Sequence, residues 1–263
     1  MAGDLAAHST GTTAVPASGP APHPLDRNPH DIAAEIDMTG SACLRAVTGP
    51  GWTARAKAHA HALAQRGEHE VMIEGPEADD LDFMRELTAD PRLRELLDGV
   101  TRAGYPDADP DGGTFSCSVR VIQGADPLQR PLWFHYDASV VTVVIPVDIP
   151  DADPGQCGEL VLYPNHRPYR RWALTNILEK AVVQSDAYRR RFLAGTPRDR
   201  DTEVVSLTPG NAYLFWGYRS YHATLPVAAG HTRITVVLHY ANVHNRSRAL
   251  RHAKALRARL RAT

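Results

Sequence analysis

His135 and Asp137 stand two residues apart in Trp133-Phe-His-Tyr-Asp137, and a further histidine, His222, follows the apolar run Ala212 to Trp216. In an extended chain, residues i and i+2 point to the same side, so one imidazole and one carboxylate reach a common point. Two histidines and one carboxylate on one face of a metal leave three positions open. That arrangement suits non-haem Fe(II), which must bind a co-substrate and oxygen together. A structural zinc site instead fills its positions with protein ligands. The tripeptide alone is common, and a histidine beside a strand also serves as an ordinary core or surface residue. The residues after His222 add to the pattern.

They read Thr232-Arg-Ile-Thr-Val-Val-Leu-His-Tyr240. As a strand, this segment places Arg233, Thr235, Val237 and His239 on one face, and Ile234, Val236, Leu238 and Tyr240 on the other. In an inner strand, a guanidinium among apolar side chains is costly unless it is paired. Its planar fork suits a bidentate carboxylate, and the strand itself holds no Asp or Glu. A ligand carboxylate is one partner; the alternative is an Arg that snorkels to solvent or to a distant acid. His239 shares the face but sits farther along, where it packs behind a site rather than in it.

Other residues carry two readings each. Thr114, Ser116, Ser118 and Arg120 share a face of Thr114 to Ile122. That face is either a solvated side of a sheet or a pocket wall on which Arg120 meets a carboxylate. Trp133 and Tyr136 flank the histidine and wall a pocket or pack. Arg219 holds an anionic group or is a solvated loop residue.

The elements that must position these residues fall into two halves. Residues 31 to 104 read as mainly helical, with helices over Thr53 to Arg66, Asp79 to Leu87 and Arg92 to Val100. From Thr114 on, β-branched and aromatic residues cluster in short runs: Thr114 to Ile122, Trp133 to Val147, Glu159 to Tyr163, Thr202 to Ser206, Asn211 to Trp216 and Thr232 to Ala241. One long helical insert spans Tyr169 to Leu193. Helices followed by many short strands predict an α+β chain with a jelly-roll or barrel half. Residues 1 to about 30, rich in Ala, Gly, Pro, Ser and Thr, read as a flexible tail. Residues 246 to 263 hold seven Lys or Arg and no acid, and read as a basic helix or tail.

Bulk properties narrow the classes. A net charge of −1 over 263 residues gives no global field toward nucleic acid or an anionic membrane. No run of about 18 apolar residues is present to span a bilayer. Three cysteines without CxxC spacing argue against a disulfide framework or zinc ribbon and fit a reducing cytoplasm. No secretion signal is read at the N-terminus, so a cytoplasmic location is expected.

His135-Tyr-Asp137, His222, and Arg233 in Gly230-His-Thr-Arg-Ile-Thr235 together resemble the HxD…H…RxS/T pattern of Fe(II)/2-oxoglutarate-dependent dioxygenases. The offset of eleven residues from His222 to Arg233 is similar to that of the phytanoyl-hydroxylase-like branch. Pro209-Gly-Asn-Ala-Tyr-Leu-Phe-Trp216 resembles the turn and strand before the distal histidine, and Gly158-Glu-Leu-Val-Leu-Tyr163 the family's GEL-type strand. The resemblance covers about 114 to 243. It implies a double-stranded β-helix (jelly roll) there; with the N-terminal helices, which the resemblance does not reach, packed on it, one domain over 31 to 245 is expected. It implies Fe(II) on His135, Asp137 and His222, with 2-oxoglutarate and O2 as co-substrates. It further implies that Arg233 and Thr235 bind 2-oxoglutarate and that Arg120 lines the pocket, touching 2-oxoglutarate or a substrate carboxylate; Trp133, Tyr136 and Arg219 are candidates for approaching a substrate on the readings given above. Halogenases of the family lack the carboxylate ligand, so Asp137 speaks against halogenation.

The function expected from this resemblance is oxidation of a small molecule, an amino acid or derivative in specialised metabolism, by hydroxylation, desaturation or ring closure such as cyclopropanation. Two other readings stay open: an oxygenase acting on a carrier- or protein-bound residue, and a non-catalytic cupin-like binding module. The oligomeric state is not legible.

Overall fold

The computed structural model describes residues 23–65, 70–74, 76–106, 115–124, 132–170, 173–195 and 202–242. The expected basic tail at 246–263, the loop at 125–130 and most of the N-terminal tail lie outside them. The chain is α+β.

A short 3-10 turn at Pro24–Asp26 leads into α1 (Pro29–Thr39), which begins within the segment expected as tail. Asn28 caps it, its side chain accepting from the His30 N–H at 2.9 Å, and Pro29 occupies the first turn where no N–H is needed. Then come β1 (Ala42–Leu44), α2 (Pro50–Ala64), β2 (Glu70–Glu74), α3 (Pro76–Asp79), α4 (Asp82–Ala89) and α5 (Pro91–Gly104). Asp90 caps α5, and Leu93, Leu96, Leu97 and Val100 form its buried stripe. The second half holds β3 (Phe115–Gln123), β4 (Ser139–Asp148), β5 (Leu160–Tyr163), α6 (Ala173–Val183), α7 (Asp186–Gly195), β6 (Glu203–Val205), β7 (Ala212–Trp216), β8 (Tyr221–Thr224) and β9 (Thr232–Asn242). Among the described residues, no helix is long and apolar enough to cross a membrane.

Six strands form one antiparallel sheet in the order β1-β7-β4-β9-β3-β2, and three form a second, β6-β5-β8. The strand period of two divides the large sheet's side chains between two layers. Val119, Val141, Val143, Leu214, Val236 and Leu238 face the helices and join Ile32, Ile36, Leu97 and Val100 in the main core. Val144, Tyr213 and Phe215 face the other way and pack on Leu160, Leu162 and Val205 of the small sheet. The alternation read in Thr232 to Tyr240 is therefore real. Ile234, Val236, Leu238 and Tyr240 are fully buried on the helix side, while Arg233, Thr235, Val237 and His239 look between the sheets.

Four expectations are corrected. The helical half contains two strands, β1 and β2, which close both edges of the large sheet; each is short and gains its hydrogen bonds only from a distant partner. The expected strand from Trp133 starts at Ser139, and before it only His135 makes a β-bridge. The stretch expected as one helix over Asp79 to Leu87 is split into α3 and α4. The insert is two helices rather than one, broken at Gln184–Ser185, where Ser185 Oγ accepts from the Tyr188 N–H at 3.3 Å.

Candidate metal centre

His135 lies in an irregular segment in front of β4, Asp137 two residues later, and His222 on β8 of the small sheet. A single bridge joins them: His135 N–H donates to His222 O at 3.0 Å and His222 N–H to His135 O at 3.1 Å. Their ring centroids are 4.3 Å apart. Asp137 reaches both, Oδ1 at 3.5 Å from His135 Nε2 and Oδ2 at 3.3 Å from His222 Nε2. One ligand atom from each of the three residues lies within 4.8 Å of the others.

The imidazoles are oriented alike. His135 Nδ1 lies 3.0 Å from Trp133 O, and His222 Nδ1 lies 3.0 Å from Ser220 O. A carbonyl can only accept, so each Nδ1 carries the proton and each Nε2 offers a lone pair. Burial, then the neighbouring His222, pulls His135 down to about 4. At neutral pH it is an uncharged donor. Burial works against the charge on Asp137, but His222, His239 and His135 outweigh it and hold the carboxyl well below the usual carboxylate range. Two imidazole Nε2 donors and one carboxylate make a donor set that fits a divalent cation.

Behind Asp137 stands a polar shell not read from the sequence. Thr142 Oγ1 donates to Asp137 Oδ2 at 2.5 Å, and His239 Nδ1 lies 3.6 Å from the same oxygen. Ser139 Oγ lies 3.1 Å from His239 Nδ1. Gly217 closes the other side: a Cβ there would lie 2.6 Å from Asp137 Oδ2 and collide with Thr142 Oγ1. Thr142 had a visible signal, being a polar residue on the inward period of an otherwise apolar strand.

Arg233 projects from β9 into the space between the sheets and is 3% exposed. Its Nη1 donates to Thr235 Oγ1 at 3.1 Å. It lies against Gly158, whose missing side chain makes room: a Cβ there would lie 2.9 Å from Arg233 Nε and overlap Cδ. Thr235 sits opposite Arg120 in the β3–β9 register, so Arg120 shares this inner face. Arg120 is half-buried, with Nη1 3.3 Å from Thr224 Oγ1, two residues beyond His222. Along the polar face read in Thr114 to Ile122, Ser116 is exposed, Ser118 buried and Arg120 half-buried.

The remaining candidates lie elsewhere. Tyr136 is buried in an aromatic cluster with Phe134, Tyr163 and Tyr221; its hydroxyl is 2.6 Å from His166 Nδ1 and Arg167 stacks on its ring at 4.1 Å. Trp133 is 38% exposed and carries the Arg189 guanidinium on its face at 3.9 Å. Arg219 turns toward α1, with Nη1 3.5 Å from Asp37 Oδ1, which also accepts from Trp216 Nε1 at 2.8 Å. The structure brings together His135, Asp137, His222, and the inner-face group Arg120, Arg233 and Thr235. It sends Tyr136 and Arg219 into packing contacts.

The insert also reaches this region. Lys180 Nζ donates to Asp137 O at 2.7 Å, Gln184 Nε2 to Tyr136 O at 3.2 Å and Arg189 Nε to Phe134 O at 2.8 Å. Burial pushes the Lys180 ammonium down to about 8. No spacing in the sequence announces these three residues, because their acceptors are backbone atoms far along the chain.

No protein-family model matches the chain, and no curated protein matches its sequence. Solved structures match its fold. The non-haem α-ketoglutarate-dependent carbocyclase SnoK of nogalamycin biosynthesis aligns over 85% of this chain and 88% of its own, with TM-score 0.56 and 11% identity. A prolyl hydroxylase from Trichoplax adhaerens, solved with a hypoxia-inducible-factor peptide fragment, aligns over 83% and 90%, with TM-score 0.55 and 12% identity. The epimerase SnoN, solved with Fe3+, α-ketoglutarate (2-oxoglutarate) and a nogalamycin compound, aligns over 81% and 83%, with TM-score 0.53 and 15% identity. The chain thus shares its fold with non-haem, 2-oxoglutarate-dependent enzymes.

Proposed function

We propose that the chain is an Fe(II)- and 2-oxoglutarate-dependent oxygenase that oxidises a small molecule, an amino acid or a derivative of one, and that its two facing sheets form a double-stranded β-helix. The observation that carries this is the convergence of three donor atoms within 4.8 Å, with both imidazoles turned by backbone carbonyls so that Nε2 faces Asp137. His135, Asp137 and His222 hold the iron and leave the other positions to co-substrate and oxygen.

When bound, iron and 2-oxoglutarate would activate O2, which is the oxidant: one oxygen atom would enter the succinate formed as 2-oxoglutarate loses CO2, and the other would serve the two-electron oxidation of a substrate C–H bond. The protein's residues bind and aim. Arg233, deep on the inner face and steadied by Thr235, pairs with the far carboxylate of 2-oxoglutarate through its planar fork. Arg120, nearer the mouth, faces either that co-substrate or an anionic group of the substrate. Thr142 and His239 keep Asp137 oriented and ionised. Val237 and Phe215 belong to the apolar cluster between the sheets and would limit water at the site.

The test is anaerobic addition of Fe(II) and then 2-oxoglutarate to the apoprotein, followed by absorption spectroscopy. A visible charge-transfer band that needs both components, and succinate release once oxygen is admitted, are the expected results. No band in the parent protein overturns the reading. Arg233→Met should raise the apparent Kd for 2-oxoglutarate about 30-fold, equivalent to about 2 kcal/mol, with iron affinity little changed. A screen of free amino acids against carrier- and peptide-bound ones, read as a shift of the band, then locates the substrate class.

A further inference from the structure

The two ligands on the irregular segment are held by an unusual set of bonds. Each Cα lies between two peptide planes, and the carbonyl of each plane reports what fixes it. For His135 the flanking planes carry Phe134 O, taken by Arg189 Nε at 2.8 Å, and His135 O, taken by the His222 N–H at 3.1 Å. For Asp137 they carry Tyr136 O, taken by Gln184 Nε2 at 3.2 Å, and Asp137 O, taken by Lys180 Nζ at 2.7 Å. Three of the four planes thus take a bond from a side chain of the α6–α7 insert; two of them are also held by their N–H groups, His135 on His222 O at 3.0 Å and Asp137 on Gly217 O at 2.9 Å, while the plane after Asp137 is held through Lys180.

The helix that carries Lys180, with Gln184 just past its end, is turned against the usual pattern. A surface helix buries its apolar stripe. In α6, Ile177, Leu178 and Val182 are exposed, while Asn176 is buried and Glu179 and Lys180 are half-buried. Glu179 accepts from Arg167 and Arg170, which ties the inner side of α6 to the residues just after β5. Directed bonds, together with Val183 packed on the cluster of Phe134, Tyr136 and Tyr221, seat α6 on the ligand segment.

We infer that Lys180, Gln184 and Arg189 are positioning residues of the metal site, and that the insert sets the orientation of Asp137 and His135. This rests on His135, Asp137 and His222 being the metal ligands. A buried carbonyl that loses its donor must find another, and the peptide plane turns to do so. For Asp137 that rotation swings the carboxylate.

Co(II) binding to the apoprotein, followed by its d–d absorption and by titration, tests this without catalysis. Lys180→Met and Gln184→Met remove one donor each with little change of size. The expected result is weaker Co(II) binding by roughly tenfold or more, as for other groups that orient metal ligands, with an altered d–d spectrum. The sign matters at Lys180. By charge alone, deleting a cation strengthens binding of a divalent ion; by positioning, it weakens it. Lys180→Arg, which can still donate to the carbonyl, should recover most of the loss. Leu178→Ala, on the exposed side of the same helix, should bind as the parent does. Tighter or equal binding by Lys180→Met together with parental binding and spectrum in Gln184→Met overturns the inference. Absence of Co(II) binding in the parent overturns the metal-site reading instead. Circular dichroism of each apoprotein checks the fold; if Lys180→Met does not fold, the Gln184→Met and Lys180→Arg spectra decide.

Discussion

His135 and His222 exchange both backbone hydrogen bonds of one isolated β-bridge, at 3.0 and 3.1 Å, and the same two residues turn their Nε2 atoms to a common carboxylate. The scaffold that joins the two segments is therefore made by the backbone of the two proposed histidine ligands. Because the bridge needs only backbone atoms, the side chain of His222 can be removed without cutting it.

His222→Ala should accordingly keep its circular dichroism spectrum while losing at least about a hundredfold in divalent-metal affinity. Calorimetric titration of the apoprotein with Co(II) measures the loss. A variant that unfolds, or one that binds as before, speaks against this division of labour.

Two glycines should separate metal from co-substrate. Gly158→Ala places a methyl group on Arg233, and its φ of 71° adds backbone strain. It should weaken 2-oxoglutarate binding about tenfold at saturating metal, with metal affinity nearly unchanged. Gly217→Ala crowds Asp137 and Thr142 instead and should do the reverse. Each crowding is expected to cost about 1–3 kcal/mol of stability. Paired titrations with metal and with 2-oxoglutarate show whether the two effects dissociate.

Thr142→Val removes the 2.5 Å hydrogen bond to Asp137 Oδ2 while keeping the shape. A hydrogen bond to a charged group contributes about 1.5–3 kcal/mol. The carboxyl should become easier to protonate, so the pH below which Co(II) is released should rise relative to the parent. Metal release followed across an acid titration reads this directly.

The apoprotein should lose stability in acid for a traceable reason. His135 falls to about 4 from its ordinary 6.5, so between those values the unfolded chain binds a proton that the folded chain does not. Stability then decreases as pH drops through that window. Because 37% of the side chain meets solvent, water screens part of the effect. Asp137, depressed as well, contributes stability that is lost at still lower pH. The Tm of the apoprotein should fall from pH 7 to pH 4.5, and His135→Gln should flatten that slope. An equally steep slope in the variant would assign the effect to other groups.

The amino-acid order alone was enough for what depends on neighbours in the chain. The period of two in Thr232 to Tyr240 gave the strand and put Arg233 on a face apart from Ile234 and Val236, as the burial bears out. Asp90-Pro91 marks a helix start because capping is a local hydrogen bond; Asn28-Pro29 caps α1 in the same way but lies in a segment whose composition reads as tail. His135 and Asp137 could be paired from their spacing. Other features depend on partners far away. β1 and β2 are short segments that become strands only against β7 and β3. Tyr136 lies between two metal-site candidates in sequence, yet its ring belongs to an aromatic cluster. Lys180 and Gln184 look like the solvated side of a helix until the carbonyls of Asp137 and Tyr136 arrive beneath them. The candidate metal centre of His135, Asp137 and His222 was thus legible as a set of donors, because donor chemistry resides in the residue types. How those donors are held was decided by tertiary structure, because the hydrogen bonds that orient them run to backbone atoms more than forty residues away.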